Sequence, residues 1–482
     1  MISNSAKEEL RSIVGADWFF DSPNDLLAYS YDATPLYQSL PDGVVMPANT
    51  EEVAGILKIC SRYKIKIVPR GSGTNLSAGT VPIEGGLVLV LTRMNQLQEI
   101  DQENLTATFQ PGLITSDLHQ AVERVGLFYP PDPGSMRIST LGGNVAECSG
   151  GMRGLKYGVT KDYIMGLEAV LPNGEILRTG GKNAKDVAGY DLTKLLVGAE
   201  GTLAVVTGIT AKLLPLPESK RTMVAYYRNL TDAARSVQSI IANRIIPATL
   251  EFLDQETMRV VEDYAHCGLP LDMAAMLLIE QDGPASVVEQ DCAKIQELCL
   301  KEGAVEVRLA ADQTEASQLM TARRASLSAL ARLRPTTILE DATVPRAHLA
   351  EMVEQINRIA QKYGVHICTF GHAGDGNLHP TCMTDVRDKQ EIHRVEKAFE
   401  EIFYAALDLG GTITGEHGVG MAKAPYLELR VGKTGMDVMK GIKTAFDPDH
   451  LLNPGKLFAK ETRRRVVVGN HGGCSHPEHK LA

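Results

Sequence analysis

Short apolar runs and longer amphipathic stretches alternate along most of this chain. In the first half, Ile65–Val68, Leu87–Leu91, Ala107–Phe109, Leu167–Leu171 and Leu203–Ile209 are compact apolar runs set among glycine-rich loops, and they read as strands. Thr50–Tyr63 carries the helical period, with Glu51 and Glu52 in its first turn, where unpaired N–H groups favour negative charge. Leu214–Ser219 is a proline-rich connector and a predicted boundary. Beyond it, strands Thr222–Tyr227 and Ala274–Glu280 alternate with helices Thr231–Ala242 and Pro284–Glu302, which predicts an antiparallel, ferredoxin-like unit. Val365–Phe370 is a further β-branched run leading to Asp375-Gly376, a favoured hairpin turn. A last helix precedes Leu451–Lys456, which is expected to return to the first part of the fold. The class is α+β, divided at 1–217, 218–429, 430–460 and a mobile tail over 461–482.

Composition narrows the setting. Of 482 residues, 44% are hydrophobic and 22% charged, as in ordinary globular proteins. The net charge of -10 argues against nucleic acid as a main partner, and an anionic substrate would need a locally positive site. The eight cysteines show no CxxC pair and no iron–sulfur or zinc-finger spacing, so a reducing cytoplasm is expected. Met1–Leu10 has no signal-peptide pattern, and no apolar run is long enough to span a bilayer; membrane contact would be peripheral.

Chemistry concentrates in two glycine-bracketed segments. Gly371–His379 sets His372 and His379 on either arm of a tight turn, and Gly415-Glu416-His417-Gly418 adds a carboxylate and a third imidazole. Two histidines and a carboxylate form a ligand set for a divalent metal with open positions, and a spare histidine beside it is a candidate general base. Zinc is the default for such a set, with manganese or iron as alternatives. The competing reading is a plain hairpin with two incidental histidines. An EF-hand is excluded, because the alternating oxygen ligands are missing. Behind the tail's Arg463-Arg464-Arg465, the residues His471, Cys474, His476 and His479 could form a second metal site, but a mobile segment is the stronger expectation.

The first half carries a different kind of site. Ile65–Arg70 runs into Gly71-Ser72-Gly73-Thr74-Asn75-Leu76-Ser77-Ala78-Gly79, where glycines let N–H groups converge on an anion and hydroxyls add donors. No amphipathic helix follows and Pro82 intervenes, so this is not a Rossmann fingerprint; no Gly-Lys-Ser/Thr follows, so it is not a Walker loop. Pro130–Ser135, Ser139–Ala146, Ser149–Gly151 and Gly198–Leu203 are further small-residue loops, suited to a long polar ligand held against backbone.

Together these loops resemble those of the vanillyl-alcohol-oxidase/PCMH flavoproteins. With HxGDGNxH and GEHG added, the chain resembles their FAD-linked 2-hydroxyacid dehydrogenase branch, from about Leu26 to Leu457. That branch includes glycolate oxidase flavoprotein subunits, D-lactate dehydrogenases and D-2-hydroxyglutarate dehydrogenases. The resemblance implies a two-part PCMH-type FAD domain over 1–217, a substrate cap over 218–429 and a C-terminal return. It implies FAD, held without a covalent link, with Arg70, Gly71, Ser72, Gly73, Thr74, Asn75, Ser77 and Ala78 at the diphosphate. Pro133, Gly134, Ser135, Thr140, Gly142, Gly143 and Asn144 would line the cofactor, Glu200, Gly201 and Val206 would lie near its adenosine part, and Asn453 would return near the flavin. It also implies His372, His379 and Glu416 as metal ligands, His417 as base, Arg323 as the grip on a substrate carboxylate and Asn377 as a substrate contact. The substrate would be a small D-2-hydroxy acid. Electrons would pass to an acceptor protein or iron–sulfur subunit, and a homodimer is possible on this reading. A flavin oxidase for another alcohol and a non-catalytic FAD-binding subunit are the competing classes.

Overall fold

The computed structural model describes residues 2–459. The tail and its His471, Cys474, His476 and His479 lie outside the described residues. Three larger sheets and a two-stranded one, Leu127–Phe128 with Leu214–Pro215, organise the described residues. The first contains Phe19–Phe20, Gly43–Val45, Leu87–Val90 and Ile67–Arg70 in that spatial order, the last three parallel. Thr50–Tyr63 is helical as its pattern predicts and buries Val53, Ile56, Leu57 and Cys60. Its cap is Asn49, whose side chain accepts the Glu52 amide, and the Thr50 hydroxyl donates to Glu168 over 2.6 Å.

The second sheet is antiparallel, in the order Leu97–Asp101, Thr106–Phe109, Val205–Lys212, Ile164–Val170, Ile176–Gly180. The C-terminal return is real: the Ile67 amide donates to Leu451 O over 2.8 Å, and the Asn453 amide donates to Ile67 O over 2.7 Å. Before it, helix Ala424–Phe446 breaks at Gly432, and its Ile442 and Phe446 pack on the second sheet's core.

The third sheet begins as Ala304–Leu309, Ser219–Tyr227, Ala275–Gly283, Thr249–Asp254, a ferredoxin-like strand order. It does not stop there. Leu253 pairs with Phe370 and Phe252 with Gly371, so the sheet continues into the hairpin Ile367–His372/Asn377–Thr384 and then Thr336–Leu339. Both faces are covered. Ala225, Leu250 and Ile279 pack under helices Leu230–Ala242, Ala285–Lys301, Leu349–Tyr363 and Lys389–Asp408. Val224, Leu253 and Leu278 pack on the other side with Met258, Leu319 and Leu330. Burial on both faces explains why these strands read as unbroken apolar runs. No described helix is long and apolar enough to cross a membrane.

Candidate functional site

The diphosphate-type loop leaves strand Ile67–Arg70 and turns back before Gly79. The backbone N–H groups of Ser72 to Leu76 have no protein acceptor among the described residues. A row of unspent donors is a fitting cradle for a diphosphate. Arg70 sits beneath the loop: its guanidinium donates to Tyr31 O over 2.7 Å and stacks on Tyr29.

These donors line a cavity of about 700 Å³, which runs from the loop to the edge of the third sheet. Of the expected cofactor residues, Arg70, Gly71, Ser72, Gly73, Thr74 and Asn75 line it, as do Pro133, Gly134, Ser135, Thr140, Gly142, Gly143, Asn144, Glu200, Gly201, Val206 and Asn453. Ser77 and Ala78 do not. Ser77 is fully buried and its carbonyl accepts the amides of Met421 and Ala422, while the Ala78 amide donates to Thr34 Oγ1. The loop's second half therefore anchors the C-terminal segment instead of facing the ligand.

At the far end the hairpin register brings Phe370 opposite His379 and His372 opposite Asn377, so both histidines reach one end of the hairpin. Their rings meet edge to face with centroids 5.0 Å apart. Glu416 Oε1 lies 3.0 Å from His372 Nε2 and 3.1 Å from His379 Nε2. One donor atom from each of the three residues falls within 4.8 Å of the others, a spacing that fits one divalent ion. Gly150 opposes them: a Cβ there would come 2.7 Å from Glu416 Oε2. Burial opposes charge on His372, but Glu251 and Glu416 outweigh it and hold its pKa well above the usual range. Burial likewise works against ionised Glu416, and His372 outweighs it.

His417 does not point away from Glu416, as an extended loop would require. Its ring stacks on His379 with centroids 5.0 Å apart, and its Nε2 lies 3.7 Å from Glu416 Oε1. The reason is a tight bend. The amides of Gly415, Glu416 and His417 all converge on Asp341 Oδ2, at 2.7, 2.9 and 3.3 Å, so successive side chains no longer alternate. Burial pushes the His417 imidazole down to about 4 despite Asp341.

Arg323, in the last turn of helix Gln313–Arg324, lines the same chamber. It is 5% exposed, lies over the Phe370 ring and makes an ion pair of 2.5 Å with Glu251 Oε2. Arg324 diverges to Asp132, 2.9 Å away, although it too borders the chamber. Asn377 is not brought to the chamber. Its Oδ1 accepts the Thr343 hydroxyl over 2.8 Å, and its amide lies under Gly415.

Sequence reasoning missed Glu251, Asp341 and Lys423. Glu251 holds His372 Nδ1 at 2.7 Å as well as Arg323. Asp341 and Lys423 form a buried ion pair under the Gly415–Gly418 bend. Glu251 and Lys423 each sit among apolar neighbours, and the Glu340-Asp341 pair follows an apolar strand, so charge amid apolar residues was the available signal.

Comparison with known proteins agrees with this architecture. Residues 41–180 match the family described as "FAD binding domain", and residues 216–457 match "FAD linked oxidases, C-terminal domain". The chain is 63% identical over 468 residues to the "Glycolate oxidase subunit GlcD" of Bacillus subtilis (strain 168), covering 97% of this chain and 100% of that one. It is 39% identical to the protein of the same description from Escherichia coli (strain K12), over 90% and 86% of the two chains. A D-lactate dehydrogenase of Anaerostipes hadrus is 35% identical, over 90% and 93%. Among solved structures, p-cresol methylhydroxylase superposes with a TM-score of 0.79 at 18% identity, covering 94% of this chain and 96% of that chain. Alkyldihydroxyacetonephosphate synthase superposes with 0.74 at 20%, over 94% and 86%.

The fold is thus that of p-cresol methylhydroxylase, and the matched family models make the chain a flavoprotein. Within that class the chain belongs to the FAD-linked oxidases: it is an oxidoreductase enzyme that binds FAD.

Proposed function

We propose that this enzyme oxidises a small D-2-hydroxy acid, of the glycolate or D-lactate kind, to the 2-oxo acid. The observation that carries the reading is the convergence of His372, His379, Glu416, His417 and Arg323 on the chamber that the diphosphate loop opens. The relatives' descriptions as glycolate oxidase subunit and D-lactate dehydrogenase support the substrate class. FAD, when bound, supplies the hydride acceptor at N5. His372, His379 and Glu416 would hold a divalent cation, with zinc first, and such an ion would lower the pKa of a substrate hydroxyl.

The protein's own groups do the rest. Arg323 presents a cation to the substrate carboxylate, fixed in place by Glu251 and Phe370. His417, buried and held neutral, takes the hydroxyl proton. Glu251 fixes the His372 ring through Nδ1, leaving Nε2 to face Glu416. FAD is held without a covalent link. The FAD part comprises 1–217, the cap 218–429 and the return 430–460. Electrons leave to a separate acceptor protein, in keeping with the word subunit in the relatives' descriptions, and the enzyme works in the cytoplasm.

The test is anaerobic titration of the purified flavoprotein with D- and L-2-hydroxy acids, following the flavin absorbance. Bleaching by small D-acids is expected; a flavin that no hydroxy acid reduces removes the reading.

A further inference from the structure

The Gly415–Gly420 segment, which carries Glu416 and His417, is gripped from two sides. From the cap, Asp341 collects the amides of Gly415, Glu416 and His417. From the other half of the molecule, Glu200 collects the next two: Val419 N–H at 2.8 Å and Gly420 N–H at 2.6 Å. Gly418 lies between the grips with φ of +77°, a conformation that suits glycine. A Cβ there would fall onto Glu147 Oε2 and within 3.1 Å of Glu200 Oε1.

Those two carboxyl groups therefore crowd one point behind Gly418, and their surroundings differ. Both oxygens of Glu200 receive backbone donors. Glu147 Oε1 accepts the Asn75 side-chain amide over 2.7 Å, but its Oε2 is buried with no donor among the described residues. Two carboxylates crowded together with little solvent between them do not both stay ionised. The charge belongs on Glu200, which has the donors, and the proton on Glu147, which lacks one.

We propose that Glu200, backed by a protonated Glu147, is the clasp on the flavin side that positions the Gly415–Gly420 loop and thereby sets His417 against the chamber. Both are positioning residues, since they act through the loop. Burial raises both carboxyls; the Glu200 charge adds to it and holds Glu147 well above its usual range, whereas the Val419 and Gly420 amides counter it at Glu200. Asn75 ties the clasp to the diphosphate loop, because its Oδ1 also accepts the amides of Ser77 and Gly79. Cofactor loop and His417 loop thus share one buried polar network.

The inference rests on His417 as base, and the experiment separates the two ideas. Hydrogen–deuterium exchange at Val419 and Gly420 needs no substrate. In Glu200→Gln, whose side-chain amide confronts one of those donors, exchange is expected to quicken about tenfold or more. In the same variant, measured on FAD-saturated protein, the limiting rate of flavin reduction falls by at least a similar factor, while the apparent substrate affinity and metal content hold. Glu147→Leu lowers the rate as well, and Glu147→Gln, which keeps a donor toward Glu200, restores most of it. Unchanged exchange and rate in Glu200→Gln overturns the clasp. Glu147→Gln as damaging as Glu147→Leu overturns the protonated Glu147. Quicker exchange with no hydroxy-acid reduction, even in the wild type, keeps the clasp and removes the functional reading.

Discussion

Glu251 Oε1 lies 2.7 Å from His372 Nδ1 in a fully buried contact, and the other oxygen of the same carboxylate pairs with Arg323. One side chain thus orients a proposed metal ligand and the proposed substrate grip together. Burial opposes its charge, but Arg323 and then His372 hold its carboxyl below the usual range. Glu251→Gln should weaken metal binding by about 10–100-fold. It should also raise the substrate concentration needed for half-maximal flavin reduction, with FAD content unchanged. Metal analysis after dialysis and anaerobic titration measure the two effects. An altered affinity for only one of them would show that Glu251 does not couple the sites.

Removing the metal should stop turnover without releasing FAD, because the diphosphate loop and the His372/His379/Glu416 cluster come from separate segments of the chain. Chelation, His372→Ala and His379→Ala should agree in this. An unchanged rate of flavin reduction in the stripped protein would make the metal structural or absent.

His417→Asn should slow flavin reduction by about 10²–10⁴-fold while metal and FAD remain. A base acts in its unprotonated form. Because burial lowers the His417 pKa to about 4, the reduction rate should stay level through the ordinary imidazole range and fall only as pH approaches 4. A nearby cation pushes the same way. Stopped-flow reduction across pH tests this. An acid limb near 6.5 would assign the base elsewhere, and loss of metal in His417→Asn would make His417 a ligand.

Asp341→Asn should destabilise the fold by about 1–3 kcal/mol, because buried Lys423 then keeps only the Glu340 carboxylate, 3.4 Å away, as counter-charge. In the wild type, Lys423 outweighs burial and depresses the Asp341 pKa. The contribution is therefore present above the ordinary carboxylate pKa and is lost only as pH falls toward the depressed value. Urea unfolding at neutral pH, compared between the two proteins, gives the difference.

FAD should leave with acid precipitation, all colour passing to the supernatant. Among the described residues no cysteine lines the chamber, and the loop from Arg70 to Gly79 carries neither cysteine nor histidine. Colour retained in the pellet would mean a covalent link.

The sequence determined the elements and the chemistry that local pattern controls. The apolar period set Thr50–Tyr63 as a helix, Asp375-Gly376 closed the hairpin, and its register alone brought His372 and His379 within reach of one ion. The glycine loop offers unpaired backbone donors because they lie within a few consecutive residues. What tertiary structure decided was everything that depends on distant residues meeting. Pairing of Leu253 with Phe370 extends the sheet and carries Glu251 to His372, 121 positions away. Convergence of three amides on Asp341 bends the loop that sequence alternation would leave extended, turning His417 toward Glu416. Asn377, Ser77 and Ala78 sit inside correct motifs yet face the packing and not the chamber. A motif fixes which residues are near in sequence, whereas the direction of each side chain follows from the buried partners it must satisfy.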